Sequence, residues 1–235
     1  MANMRKFADM RAIGHLCAHY ERSVAAGHYG NEDIDQSRLH EDGVNLAPDR
    51  GKQTDYIKQQ IADVMDGRTL RKDAVRMVCW IVDAPATLPP AREPEFFRAT
   101  YDFLVERYGS KSGMGEDCVI SAYIHHSETT AHIHFAFLPV VERDGVKKFC
   151  AKEVVGRADL ASFHKDLGQY LEARRICKER DILNGKTQRD ASGRALSVRE
   201  MKRNRQRERE REQQRVNDRW TSTDEPTRDR ERGRW

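Results

Sequence analysis

The spacing of apolar positions changes several times along the chain, and each change marks a different element. Residues 4–25 carry scattered apolar positions that suit either a short strand or a helix. Gly27–Gln53 is polar and rich in Gly, Asp and Asn, which predicts a long loop. Ile57, Ile61 and Val64/Met65 recur at helical spacing and predict a short helix over Tyr56–Asp66. Val75–Val82 is a β-branched and aromatic run, the mark of a buried strand, and Pro85, Pro89 and Pro90 end it. Glu95–Tyr108 has the period of an amphipathic helix. Cys118–His125 and His132–Val141 predict two further strands, joined by a hairpin loop over His126–Ala131. Arg143-Asp144-Gly145 is a second turn, leading to a short strand over Val146–Cys150. Ala158–Glu179 reads as a long helix with Leu160, Phe163, Leu167, Tyr170 and Leu171 on one face. This order implies an α+β fold, a central antiparallel sheet flanked by helices.

Beyond Leu196 the pattern stops. Arg199–Arg219 is nearly all Arg, Glu, Gln and Asn with no apolar stripe, so it predicts a solvated helix laced by i,i+4 pairs or a disordered segment. Thr221–Trp235 is expected to be disordered. The organisation expected is therefore one domain over residues 1–198 and a charged tail over 199–235. Charge follows the same division. The tail holds 13 Lys/Arg against 9 Asp/Glu, which is the whole net +4, while the body is balanced at 29 of each. A balanced body leaves nucleic-acid binding open, because binding needs a local basic face. Five widely spaced cysteines without a CxxC pair suggest free thiols, and no stretch is apolar for ~18 residues. The expectation is a cytoplasmic protein without membrane insertion.

The densest chemistry lies in Tyr123-Ile124-His125-His126-Ser127-Glu128-Thr129-Thr130-Ala131-His132-Ile133-His134-Phe135. On a strand, residues i and i+2 share a face, so His132 and His134 point together while Ile133 and Phe135 enter the opposite layer. If the hairpin pairs antiparallel, His125 comes beside them. Three imidazoles leave coordination positions for water or substrate oxygen, as a catalytic metal requires. His126 points to the other face from His125 and is not counted as a ligand. Glu128, in the loop, can accept a proton or orient a ligand ring.

Read as a whole, this string resembles the third motif of the MobV (Mob/Pre) plasmid mobilisation relaxases, a branch of the HUH endonucleases. That pattern runs His-x-Asp-Glu and then Pro-His-x-His; here Ser127 replaces the Asp and Ala131 the Pro. The family's first motif, His-x-x-Arg, matches His19-Tyr20-Glu21-Arg22. Its second is degenerate at His40-Glu41-Asp42-Gly43-Val44-Asn45-Leu46, which lacks the Tyr and is one residue longer. Gly30–Asp35, Arg71–Val75, Ala151–Val154 and Asp181–Gly185 also look like family segments, and the resemblance spans roughly residues 1–200.

The resemblance implies metal-dependent transesterification at one phosphodiester of a plasmid origin of transfer. His125, His132 and His134 would hold Mn²⁺ or Mg²⁺, and His19 would attack phosphorus, leaving the 5′ end on the protein. Arg22 would steady the phosphate or the fold. Tyr20 is the alternative nucleophile, since most relaxases use tyrosine. The partners implied are origin DNA, as hairpin and single strand, with a conjugative coupling protein and a second copy of the chain as further candidates. Arg38, Arg71 and Lys72 are candidate phosphate contacts. Three alternatives stand beside this: a decayed relaxase that only binds origin or promoter DNA, a rolling-circle replication initiator, and a generic zinc hydrolase. In the initiators the metal histidines generally precede the nucleophile, whereas His19 precedes them here.

Overall fold

The computed structural model describes residues 2–22 and 34–183 and isolated positions between 192 and 215. Contacts divide the chain into a unit over residues 1–185 and a second over residues 186–235. The described positions of the second unit from 200 to 215 are helical, those from 203 on are exposed, and Gln206 donates to Glu210 one turn on. The remainder of the tail, and Gly30–Asp33 and Asn184–Gly185 of the family segments, lie outside the described residues.

The first unit opens with strand β1 (Ala2–Phe7) and helix α1 (Met10–Tyr20). Both alternatives for the N-terminal stretch are thus realised in turn. Asp9 separates them, its carboxylate accepting from the Ala12 amide at 2.8 Å as an N-cap. Within the segment predicted as loop, the described part holds a 3₁₀ turn (Gln36–Glu41) and a two-residue strand, β2 (Val44–Asn45). Then follow α2 (Gln53–Met65), β3 (Met77–Asp83), α3 (Glu93–Ser112), β4 (Val119–His125) and β5 (His132–Phe137). The single strand expected over His132–Val141 is two. Pro139 has no N–H to give a ladder, and β6 (Val140–Arg143) leaves the main sheet to pair with β7 (Val146–Phe149). The helix expected over Ala158–Glu179 is α5 (Arg157–Ala173), which ends earlier; a short α4 (Ala151–Val154) precedes it and α6 (Glu179–Leu183) follows. Arg175, at φ +59°, turns the chain after α5.

Five strands form an antiparallel sheet in the order β1-β3-β5-β4-β2. Period-two alternation gives it two unlike faces. On one, Val78, Trp80, Val82, Ile133, Phe135 and Phe137 pack under α3 and α5, with Trp80 stacked on Phe163 at 3.6 Å. Each such fully buried side chain stabilises by roughly 1.5–3 kcal/mol. The opposite face carries Met77, Cys79 and Ala136 under α1 and α2, against Ile13, Cys17, Tyr20 and Ile57. An irregularity in the β4–β5 pairing between Val119 and Ser121 breaks the alternation, for Ile120 packs in the second layer and Ser121, next along, also faces that side, bonded to Gln53 of α2. Ser121 donates to Gln53 (2.6 Å) and Gln53 donates to Glu21 (2.6 Å), a polar relay that fixes the end of α1 over the sheet. No described helix is long and apolar enough to cross a membrane.

Candidate metal and strand-transfer site

Register builds the site. His125 stands directly opposite His132 across β4 and β5, and Tyr123 opposite His134. All three histidines therefore share the α1 face, with ring centroids 4.6–5.4 Å apart. His125, His132 and His134 are 0%, 6% and 4% exposed, so the cluster is closed to bulk water from below. Asp83 on β3 faces His132 across the other edge of β5.

Hydrogen bonds set which nitrogens face inward. The His125 Nε2–H donates to the Tyr20 carbonyl at 2.9 Å, leaving its Nδ1 lone pair free. The His132 Nδ1–H donates to the Thr130 carbonyl at 2.8 Å, which turns its Nε2 lone pair toward His134. The two Nε2 atoms of His132 and His134 lie 3.0 Å apart. Cis ligands at about 2.1 Å from one octahedral ion are spaced by roughly that amount. Among the described residues, His125 Nδ1 and His134 Nδ1 are buried without a hydrogen-bond partner. Buried orphan nitrogens are rare in a finished core, and the His125 Nδ1 lone pair with the His132 and His134 Nε2 atoms makes a donor set that fits a cation; His134 Nδ1, on the far side of its ring, is not explained by that ion. Two triads have ligand atoms within 4.8 Å of one another: His19, His125 and His134, and His125, Glu128 and His132.

Protonation favours ligation. Burial, then the neighbouring imidazoles, hold His134 well below its ordinary value, and burial lowers His132 despite the Thr130 hydrogen bond. Both are neutral at pH 7.

Helix α1 delivers the first motif. His19, in its last turn, keeps 31% of its side chain exposed and sets its ring 5.3 Å from His125 and from His134. Burial and the Arg22 guanidinium push its imidazole down to about 4. Tyr20 turns the other way. It is 2% exposed, stacks on His134 at 4.6 Å, and burial beside Cys79 raises its phenol far above the usual range. Arg22 adopts φ +48°, uncommon for a side chain larger than glycine, and so folds back beneath His19. There it donates to Asp42 (Nε, 2.8 Å) and Glu128 (Nη2, 2.7 Å), with Nη1 3.3 Å from His19 Nδ1. Its burial turns it to the site framework rather than outward. Burial pushes the Glu128 carboxyl up, but the facing His125 and the Arg22 guanidinium outweigh it and hold it at about 2.

Asp42 is the residue the sequence did not single out. It stood in a polar segment far from the hairpin in sequence, with no periodicity to mark it. His126 packs away from the cluster, its Nε2 3.4 Å from Glu93. Of the candidate phosphate contacts, Arg38 is tied to Glu41 at 2.7 Å on the turn leading to Asp42. Arg71 and Lys72 are exposed and precede β3, whose seven residues separate them by roughly 20 Å from the Asp83 end beside His132. The structure does not bring them to the histidine cluster.

Against known proteins, the family model described as a plasmid recombination enzyme, Mob_Pre, matches residues 1–195. A plasmid recombination enzyme of Lactiplantibacillus plantarum is 29% identical over 181 residues, 73% of this chain and 46% of the relative. A type 2 plasmid recombination enzyme of Staphylococcus aureus (strain Mu50 / ATCC 700699) is 33% identical over 138 residues, 55% of this chain and 30% of the relative. The chain thus spans about half the length of the first of these relatives and less of the second. Among solved structures, the Mn-bound MobM relaxase domain with a 22-nucleotide strand of pMV158 oriT DNA matches with TM-score 0.67 and 27% identity. That match covers 86% of this chain and 98% of the other. The same domain with a 3′-thiophosphate strand gives 0.69 at 27% identity, covering 86% and 97%.

Proposed function

Because this chain belongs to the Mob_Pre family of plasmid recombination enzymes, we propose that it is a mobilisation relaxase that nicks and re-joins one DNA strand at a plasmid's origin of transfer. The observation that carries this reading is the meeting of His19 with the buried histidine cluster and Glu128 at one opening of the sheet. Mn²⁺, bound in the MobM neighbour, or Mg²⁺ would be held here by His125, His132 and His134. Such an ion supplies charge stabilisation for the scissile phosphate and the departing oxygen.

The chain's own residues supply the rest. Arginine has no acceptor, so its N–H beside His19 Nδ1 assigns the imidazole proton to Nε2. Glu128 Oε1 lies 3.9 Å from that Nε2, a gap that one water or a small closure on binding DNA would bridge, and it is ionised at any working pH, so it is the base at hand. As Nε2 bonds to phosphorus, its proton passes to Glu128. The P–O3′ bond breaks, and the leaving oxygen takes a proton from solvent to become a 3′-hydroxyl. The 5′-phosphoryl group stays on His19 as a phosphoramidate, and the reverse attack by a 3′-hydroxyl re-joins the strand. Tyr20, buried against Cys79, has no comparable access to DNA, which favours His19.

On this reading the DNA partner is the hairpin and single strand at the origin, met in the cytoplasm. Arg38, Arg71 and Lys72 contact phosphates away from the cut; Arg71 lines a cleft with Arg68, Lys148 and Lys152. A conjugative coupling protein and a second copy of the chain are the further partners proposed. The intact cluster counts against a decayed, binding-only protein. Supercoiled DNA of the replicon that encodes the chain tests the proposal. Relaxation with Mn²⁺ and none with EDTA is expected, whereas binding without cutting would leave only the DNA-binding reading.

A further inference from the structure

Three stretches distant in sequence meet at one carboxylate. Asp42 has a fully buried side chain. Its Oδ1 accepts from the His126 amide (2.6 Å) and the Ser127 amide (2.9 Å), holding the loop between β4 and β5. Its Oδ2 accepts from Arg22 Nε (2.8 Å) and from the Ser127 hydroxyl (2.5 Å). One oxygen serves the loop backbone, and the other is shared by the guanidinium and the Ser127 hydroxyl.

Arg22 in turn stands between two carboxylates, Asp42 through Nε and Glu128 through Nη2. The same guanidinium touches His19. A guanidinium fork readily binds one carboxylate through two nitrogens. Without Asp42, Nε and Nη2 would both turn to Glu128 and draw it off His19 and His125. The division of Arg22 between two acids is what leaves Glu128 facing the imidazoles, 3.8 Å from His125 Nδ1 and 3.9 Å from His19 Nε2. We infer that Asp42 is the positioning residue of this centre: by fixing Arg22 it sets His19 and Glu128 in place without touching DNA or metal. This rests on the strand-transfer reading above.

The different partners of the two oxygens supply the test. Asp42→Asn keeps an acceptor for the two loop amides but puts an N–H₂ against Arg22. Displacement of reacting groups by about 1 Å is worth roughly 100-fold in rate. Nicking of supercoiled DNA of the encoding replicon should fall about that much in kcat, with KM for DNA and Mn²⁺ affinity unchanged. Ser127 Oγ is 3.4 Å from Arg22 Nη2, so a carboxylate introduced there can take over the tie. Ser127→Asp should therefore harm the wild-type chain, where it faces Asp42 as a like charge. In the Asp42→Asn chain it should restore most of the rate. Asp42→Asn cutting like wild type overturns the assignment, and so does a loss confined to KM or to Mn²⁺ binding. If Asp42→Asn alone is too unstable to assay, the exchanged pair decides. An exchanged chain that folds and cuts supports the assignment, and one that fails either way overturns it. A wild-type chain that never cuts overturns the strand-transfer reading and this one with it, whereas an active wild type with an indifferent Asp42→Asn overturns this one alone.

Discussion

His132 and His134 bring their Nε2 atoms to 3.0 Å of each other on one face of β5, and His132 is fixed in that pose by the Thr130 carbonyl. On the function proposed above, this pair serves with His125 as a ligand set, which would explain why three imidazoles are buried where apolar residues would pack at no polar cost. His134→Ala should lower Mn²⁺ affinity by more than the roughly 10–100-fold expected for loss of an outer hydrogen bond. His19→Ala, if its imidazole serves as nucleophile, should leave Mn²⁺ affinity nearly unchanged. Calorimetric titration of both variants separates the roles, and an equal loss in both would make His19 a ligand.

Proton linkage follows from the lowered imidazoles. His19 is held at about 4, and His132 and His134 are also lowered, so the unfolded chain binds more protons between about pH 4 and 6.5. Stability of the metal-free chain should therefore rise with pH through that window and level above it. Glu128, held at about 2, contributes stability above its unfolded value that is lost as pH falls toward 2. Urea midpoints from pH 4 to 8 measure this. At pH 7, Mn²⁺ binding should release few protons from these histidines, so its calorimetric enthalpy should not depend on buffer ionisation enthalpy.

On the far face of the sheet, Trp80 Nε1 donates to the Tyr108 hydroxyl (2.8 Å), which donates to Asp159 (3.0 Å). Tyr108→Phe strands the buried indole N–H and should destabilise by about 1–3 kcal/mol. Nicking at a temperature where the variant is folded should stay unchanged. An unaltered melting temperature would contradict the role given to this relay.

The site was legible in the sequence where local periodicity wrote it. His132-Ile133-His134 alternates as a strand must, and the hairpin length returned His125 beside it. The early turn at Pro139 was visible as a residue but was masked by Val140 and Val141, which prolong the apolar run. The end of α5 was not legible, because its left-handed residue is Arg175 rather than glycine. Asp42 stood inside the degenerate second motif, but its role was not legible: it lies in contacts 20 and 84–85 residues away, which no local pattern carries.

Lys72 and Arg71 stand at the end of the sheet away from the histidine cluster, so if they contact DNA their effect should be electrostatic and independent of sequence. Lys72→Ala should reduce the slope of log affinity against log salt by about 0.7–0.9 and leave the nick position unaltered. Filter binding across a salt series reads this directly, and an unchanged slope would remove Lys72 from the interface.

On the proposed mechanism His19 carries the cut strand. The most direct measurement traps the DNA–protein adduct formed with Mn²⁺ and locates the bond, comparing wild type, His19→Ala and Tyr20→Phe. The expected adduct is an acid-labile phosphoramidate on the peptide containing His19, retained in Tyr20→Phe and absent in His19→Ala. An acid-stable adduct on Tyr20, lost in Tyr20→Phe, would contradict it.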